Sequence, residues 1–140
     1  MQDGGEWEHF PHGSDIGVRG YGHRLEEAFQ GAATALTAIV ADPQRVQPLK
    51  KVEISCGAPN IEVLFNDWLN ALIFEMDTRR MLFSKFSVEI QEGHLTATAW
   101  GEGVDVQRHH PVVDLKGATF TELKVEEHKG RWLAQCVIDV

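Results

Sequence analysis

The stretch Phe86-Ser87-Val88-Glu89-Ile90-Gln91-Glu92-Gly93-His94-Leu95-Thr96-Ala97-Thr98-Ala99 decides the architecture. Phe86, Val88 and Ile90 alternate with Ser87, Glu89 and Gln91, a period of two that puts the apolar side chains on one face of a strand. Glu92-Gly93 makes a tight turn, and Leu95, Ala97 and Ala99 resume the alternation, so the segment predicts a β-hairpin. A second unit of the same kind closes the sequence. Residues 119–127 alternate, His128-Lys129-Gly130 turns, and a last strand runs from Trp132 to Val140. Two consecutive hairpins predict an antiparallel sheet.

Working upstream, Ile61, Leu64, Phe65, Trp68, Leu72 and Met76 form one broad apolar stripe at helical spacing, widened by Leu69 and Ile73. Its width fits a helix lying on a sheet rather than a cofactor box. Pro59 stops the preceding strand and Asn60 is the expected N-cap. Glu62, Asn66, Asn70 and Asp77 fall on the opposite, polar side. An earlier helix is predicted from Leu25, Ala28, Phe29, Ala32, Ala33, Leu36 and Ile39, with Glu26 and Glu27 in the first turn, where the helix dipole favours anions. Pro43 and Pro48 close that region. Lys51 to Cys56 reads as a strand, and Ser14 to Gly22, with three glycines, as a short strand leaving a polar turn. The expectation is an α+β fold: a single domain over 1–140, an antiparallel β-sheet covered on one face by two α-helices, with 1–7 a flexible N-terminus.

The chain has 140 residues, 43% of them hydrophobic, with four Trp and seven Phe, enough for one core and too short for two. No run approaches the ~18 apolar residues that a membrane span needs, so no membrane role is expected. The polar, acidic opening MQDGGEWEHF lacks the basic and apolar regions of a secretory signal, and the expected location is cytoplasmic. The formal net charge is −8. The longest basic runs are Arg79-Arg80 and Lys50-Lys51, so direct, tight nucleic-acid binding is disfavoured. An acidic surface suits a metal ion or a basic protein instead. Cys56 and Cys136 sit in strand-like apolar runs without CxxC or metal-ligand spacing, and read as small buried hydrophobes.

Three constellations carry chemistry. His12-Gly13-Ser14-Asp15 places a His and an Asp in one glycine-containing turn. The pair either faces a common spot, or Asp15 bonds its own backbone as turn aspartates do. Gly101 to His110 lies between strands and reads as a loop holding Glu102, Asp105, Arg108, His109 and His110. It is either a functional loop or a solvated one with a weak Asp105–Arg108 ion pair. His12, His109 and His110 have no firm zinc spacing. The third is Val137-Ile138-Asp139-Val140, where the carboxylate of Asp139 is followed by the α-carboxylate of Val140. Oxygen-only clusters suit Ca²⁺, Mg²⁺ or Mn²⁺. If the last strand pairs near the first, Asp15, Asp139 and the terminal carboxylate share one ion. There is no GxxxxGK[ST] and no GxSxG, and neither cysteine has an activating neighbour. No catalytic residue is assigned.

Residues His12-Gly13-Ser14-Asp15-Ile16-Gly17, Leu25-Glu26-Glu27-Ala28-Phe29 and Asp67-Trp68-Leu69-Asn70 resemble the archease family. So do Gly101-Glu102, Arg108-His109, Lys116-Gly117-Ala118-Thr119 and Ile138-Asp139-Val140. The matches run in order from about residue 8 to the last residue. The family usually reads His-Thr-Ala-Asp-Ile-Gly at the first motif. Here Gly13 and Ser14 replace the middle pair, which loosens the turn. The resemblance implies a non-enzymatic accessory factor that activates an RtcB-type RNA ligase in tRNA splicing or RNA repair. In such a pair the ligase carries the chemistry on a histidine guanylylated from GTP, and the archease promotes guanylylation and multiple turnover. It further implies a divalent-cation site, calcium among the candidates, at Asp15, Asp139 and Val140. Contacts with the ligase or its nucleotide fall to His12, Asp105, Arg108, His109 and Lys116. The competing readings are a chaperone-like interaction module for RNA-modifying proteins and, last, an independent metal-dependent hydrolase with His12 or His109 as base.

Overall fold

The alternating segments form two sheets rather than one. The computed structural model describes residues 5–140. In chain order the elements are β1 (Glu6–His12), β2 (Asp15–Gly22), α1 (Leu25–Val40), β3 (Lys50–Gly57), α2 (Ile61–Arg79), β4 (Met81–Gln91), β5 (His94–Gly103), α3 (Val106–His109), β6 (Gly117–Ala118), β7 (Lys124–His128) and β8 (Arg131–Asp139). One sheet runs β1-β2-β8-β6 with β7 also paired to β8, and the other runs β3-β5-β4. All pairings are antiparallel. The two expected hairpins, β4–β5 and β7–β8, are both present, in different sheets.

The α+β class holds, with one correction to the layering. The helices do not cover one face of one sheet: α1 packs on β1, β2 and β8 of the first sheet and on β4 of the second, while α2 packs on β3, β4 and β5 as well as β6 and β7. The main core therefore takes residues from both helices and both sheets, with Trp68, Phe29 and Phe65 fully buried in it, and a small second cluster gathers Val40, Ala41, Val46 and Leu82. The Trp68 indole N–H donates to the Phe29 carbonyl at 3.1 Å, as a buried indole requires. Gly20 sets how closely α1 lies on β2: a Cβ there would meet the Ala28 carbonyl oxygen at 2.0 Å.

Caps follow the sequence. The Asn60 side chain accepts from the Val63 N–H at 2.9 Å, and the Glu27 carboxylate accepts from the main chain of His23 and Arg24 at 2.9 and 3.0 Å. Both leave fewer orphan donors at helix starts.

Several boundaries differ from expectation. Glu6 and Trp7, placed in a flexible 1–7 segment, are paired in β1 with Tyr21 and Gly20; residues 1–4 of that expectation lie outside the described residues. Residues 101–110 are not one loop: Gly101, Glu102 and Gly103 end β5, and Val106–His109 is a helical turn capped by Asp105, whose side chain accepts from Gln107 N–H at 3.1 Å. Residues 119–123 are not strand. They follow β8 irregularly, with Thr119 N–H donating to the Val137 carbonyl and Val137 N–H to that of Thr121. Among the described residues no helix is long and apolar enough to cross a membrane.

Candidate functional site

Strand register brings the first constellation and the chain's last residues to one end of the larger sheet. His12 pairs with Asp15 across the β1–β2 turn. Ile16 pairs with Ile138, so Asp15 and Asp139 are the next step along the same two strands. Side chains alternate faces along a strand, which puts both carboxylates on the face opposite Ile16 and the fully buried Ile138. Val140 N–H donates to Asp15 Oδ1 at 3.3 Å. On the other side of β8, Gly117 pairs with Asp139, and Lys116 N–H donates to the Asp139 carbonyl at 2.9 Å. Asp15 and Val140 are half-buried, while Asp139, Lys116 and His12 are exposed. Among the described residues neither carboxylate has an ion-pair partner.

The turn that carries His12 is set by Gly13, whose φ is +60°. Positive φ at the first central residue alone is the signature of a type II′ hairpin turn, where glycine is favoured. The Gly13 substitution within the motif therefore fixes this turn rather than loosening it.

The other side of the site is held from α2. Asn70 Oδ1 accepts from Ala118 N–H at 2.9 Å, and its amide donates to the Ala118 carbonyl at 3.2 Å. Asn66, 5% exposed, donates to the Thr119 carbonyl at 2.9 Å and accepts from Asn70 at 3.0 Å. These asparagines, expected on the polar face, instead clamp the short strand β6 against the end of β8. Their spacing, one helical turn apart, was the available signal.

The donor set suits a hard cation in kind and falls short in number. Carboxylate and main-chain oxygens are what Mg²⁺ or Ca²⁺ prefers. Yet among the described residues no three His, Cys, Asp or Glu side chains come close enough together to hold a metal. Asp15 and Asp139 alone would therefore leave the shell of such an ion incomplete.

Glu102, Arg108 and His109 assemble elsewhere, and not as free contact residues. Glu102 is 7% exposed. It accepts a two-pronged bond from Arg108, 2.8 Å to Oε2 and 2.6 Å to Oε1. It also accepts from Gln47 N–H at 2.7 Å, and His109 Nε2 lies 3.0 Å from Oε2. Asp105 N–H donates to His109 Nδ1 at 2.9 Å, so the proton sits on Nε2 and points at Glu102. The Arg108 fork, with the Gln47 N–H behind it, holds the Glu102 carboxyl down to about 2. Among the described residues no hydrogen bond or ion pair joins this cluster to Asp15 or Asp139. Asp105, Arg108 and His109 are engaged in holding α3. Burial pushes the Cys136 thiol up to about 12 and, with Asp67 nearby, raises that of Cys56, so neither supplies a thiolate.

A sequence profile of the Archease protein family matches residues 7–140. Curated relatives of that name include proteins from Pyrococcus furiosus, 34% identical over 96% of this chain and 99% of the relative, and from Sulfurisphaera tokodaii, 36% identical over 96% and 99%. The solution structure of Methanobacterium thermoautotrophicum protein 1598 superposes with a TM-score of 0.84 at 33% identity, covering 96% of this chain and 98% of that one. A Thermotoga maritima crystal structure, described as an archease and possible chaperone, shares the fold at 18% identity and a TM-score of 0.58, covering 94% of each chain.

Proposed function

The chain belongs to the archease protein family, and from that premise we propose that it is a metal-binding accessory factor of an RtcB-type RNA ligase, promoting guanylylation and repeated turnover in tRNA splicing or RNA repair. The observation that carries the reading is the β2–β8 register, which sets Asp15 beside Asp139 with Val140 N–H on Asp15 Oδ1. Two unneutralised carboxylates at the end of a sheet, without a full shell of their own, form a tip suited to sharing an ion. Asp15, Asp139 and the terminal carboxylate of Val140 are the groups that would hold a divalent cation. Lys116 and His12 stand exposed beside them, where they would meet nucleotide or ligase groups. Bound there, the cation supplies positive charge against the GTP phosphates. The acidic balance of the chain favours approach to a basic, RNA-binding partner.

The test is formation of the ligase–guanylate adduct from GTP, with and without this protein, in Mg²⁺, Mn²⁺ and Ca²⁺. Wild type accelerates it; Asp15→Asn and Asp139→Asn, both folded, do not. Normal stimulation by both variants sinks the reading. A second reading, a chaperone-like module acting without metal, draws on exposed Phe74 and Phe120, 62% and 67% accessible. It requires stimulation that survives chelation.

A further inference from the structure

The Glu102–Arg108–His109 cluster, buried at Glu102 and His109, fixes something other than the tip. It ties the four-residue helix α3 to the end of β5 and, through Arg108 donating to the Arg45 carbonyl at 2.8 Å, to the turn after α1. Burying a carboxylate is worthwhile only with full pairing, and here every oxygen is paired. What the cluster holds in place is an apolar edge: Val106 is 68% exposed and Val104 37%. Both residues form the lip of a cleft of about 270 Å³ whose floor is Ile73, Met76, Leu82 and Leu115. Asp77, Asp114 and Arg80 stand on its rim. Among the described residues none of the three makes an ion pair, so the rim carries two unneutralised carboxylates against one guanidinium. The strip that lines the cleft at Val113, Asp114 and Leu115 runs directly into Lys116 and Gly117 beside Asp139.

A rigid apolar cleft with an acidic rim has the form of a pocket for one anchoring side chain inside a basic surface. We propose that it docks a segment of the RNA ligase carrying a large apolar side chain next to a lysine or arginine; this rests on the reading above that such a ligase is the partner. The cleft supplies affinity and the tip supplies stimulation. Arg108 and His109 are positioning residues for the lip, not contacts to nucleotide.

The two roles separate by titrating ligase with this protein, reading affinity by calorimetry and guanylylation at saturation. Val106→Glu puts a charge on the lip at a solvent-facing position, and should raise Kd about tenfold or more, as loss of an interface anchor does. The guanylylation rate at saturating protein should be unchanged. Asp139→Asn should bind within about threefold of wild type, a metal contact at the rim of an interface adding little affinity, yet fail to stimulate. Asp114→Lys, fully on the surface, should weaken binding and flatten its salt dependence, and it decides the matter if Val106→Glu unfolds. Wild-type affinity in Asp114→Lys together with folded Val106→Glu overturns the cleft and leaves the proposed function standing. Tight binding without stimulation by wild type overturns the proposed function and keeps the cleft. No binding by wild type overturns both. A dimer in light scattering that Val106→Glu dissolves overturns the proposal by seating a second copy there.

Discussion

Asp15 and Asp139, 124 positions apart in sequence, stand one step beyond the Ile16–Ile138 pair on adjacent antiparallel strands, with Val140 N–H donating to Asp15 Oδ1 at 3.3 Å. That relationship makes a site from two aspartates that are ordinary when taken singly. It also sets two carboxylates side by side with no ion pair to either among the described residues, and a cation or a basic partner bound there would relieve their repulsion.

Metal uptake should therefore register as stability. A ligand that binds only the folded chain at 100 times its Kd adds about 2.7 kcal/mol. Titrating Ca²⁺ or Mn²⁺ should raise the melting temperature of the wild type in a concentration-dependent way and leave Asp139→Asn unmoved. Equal shifts in both would place the ion elsewhere.

Asn70 should matter to the tip without touching it. Replacing it with Ala leaves Ala118 N–H and its carbonyl without their helix partner. The cost is about 1–3 kcal/mol, the usual range for unsatisfied buried polar groups. β6 should loosen from β8, so that amide exchange at Lys116 and Ala118 speeds up and metal affinity drops. Unaltered exchange there would show that β6 is held by β8 alone.

The hairpins and both long helices were legible because their periodicities are local. Sheet membership was not: β4–β5 and β7–β8 look alike in sequence, and the two helices, each packed on strands of both sheets, separate them. Strand β1 was missed because EWEHFPH is an exposed edge with no apolar face to repeat. Asn66 and Asn70 read as solvent-facing because a helical wheel cannot foresee a two-residue strand needing backbone partners. Glu102 and Arg108 read as part of a loop, functional or solvated, since a buried carboxylate betrays itself only through the three groups that converge on it. The residues offered the pairing of Asp15 with Asp139 only as a condition on how the first and last strands pair, and the resemblance alone made it an expected site.

Gly13 gives a clean backbone test. Its φ of +60° disfavours any side chain, and a Cβ there would meet nothing within 4 Å. Gly13→Ala should cost about 1–2 kcal/mol, the left-handed penalty alone. A melting temperature equal to wild type would mean that the turn has switched type, which shifts in the amide resonances of His12 and Asp15 would register.

The Glu102 cluster predicts a specific acid limb. Its carboxyl, ordinarily near 4.5, is held down to about 2 in the fold. A carboxyl depressed by folding stabilises the chain above its unfolded value and loses that contribution as pH falls. The loss should begin near pH 5 and run on toward pH 2. Glu102→Gln removes the titrating group, so its melting temperature should lie below wild type at neutral pH, where Arg108 loses its charged partner. The two curves should converge as pH drops through that window. Glu8, also depressed by its bonds to Tyr21 and Arg19, remains in both proteins and cancels in the difference. Parallel curves from pH 7 to pH 2 would mean that the Arg108 fork does not depend on the charge of Glu102, and the lip at Val106 would then need another support.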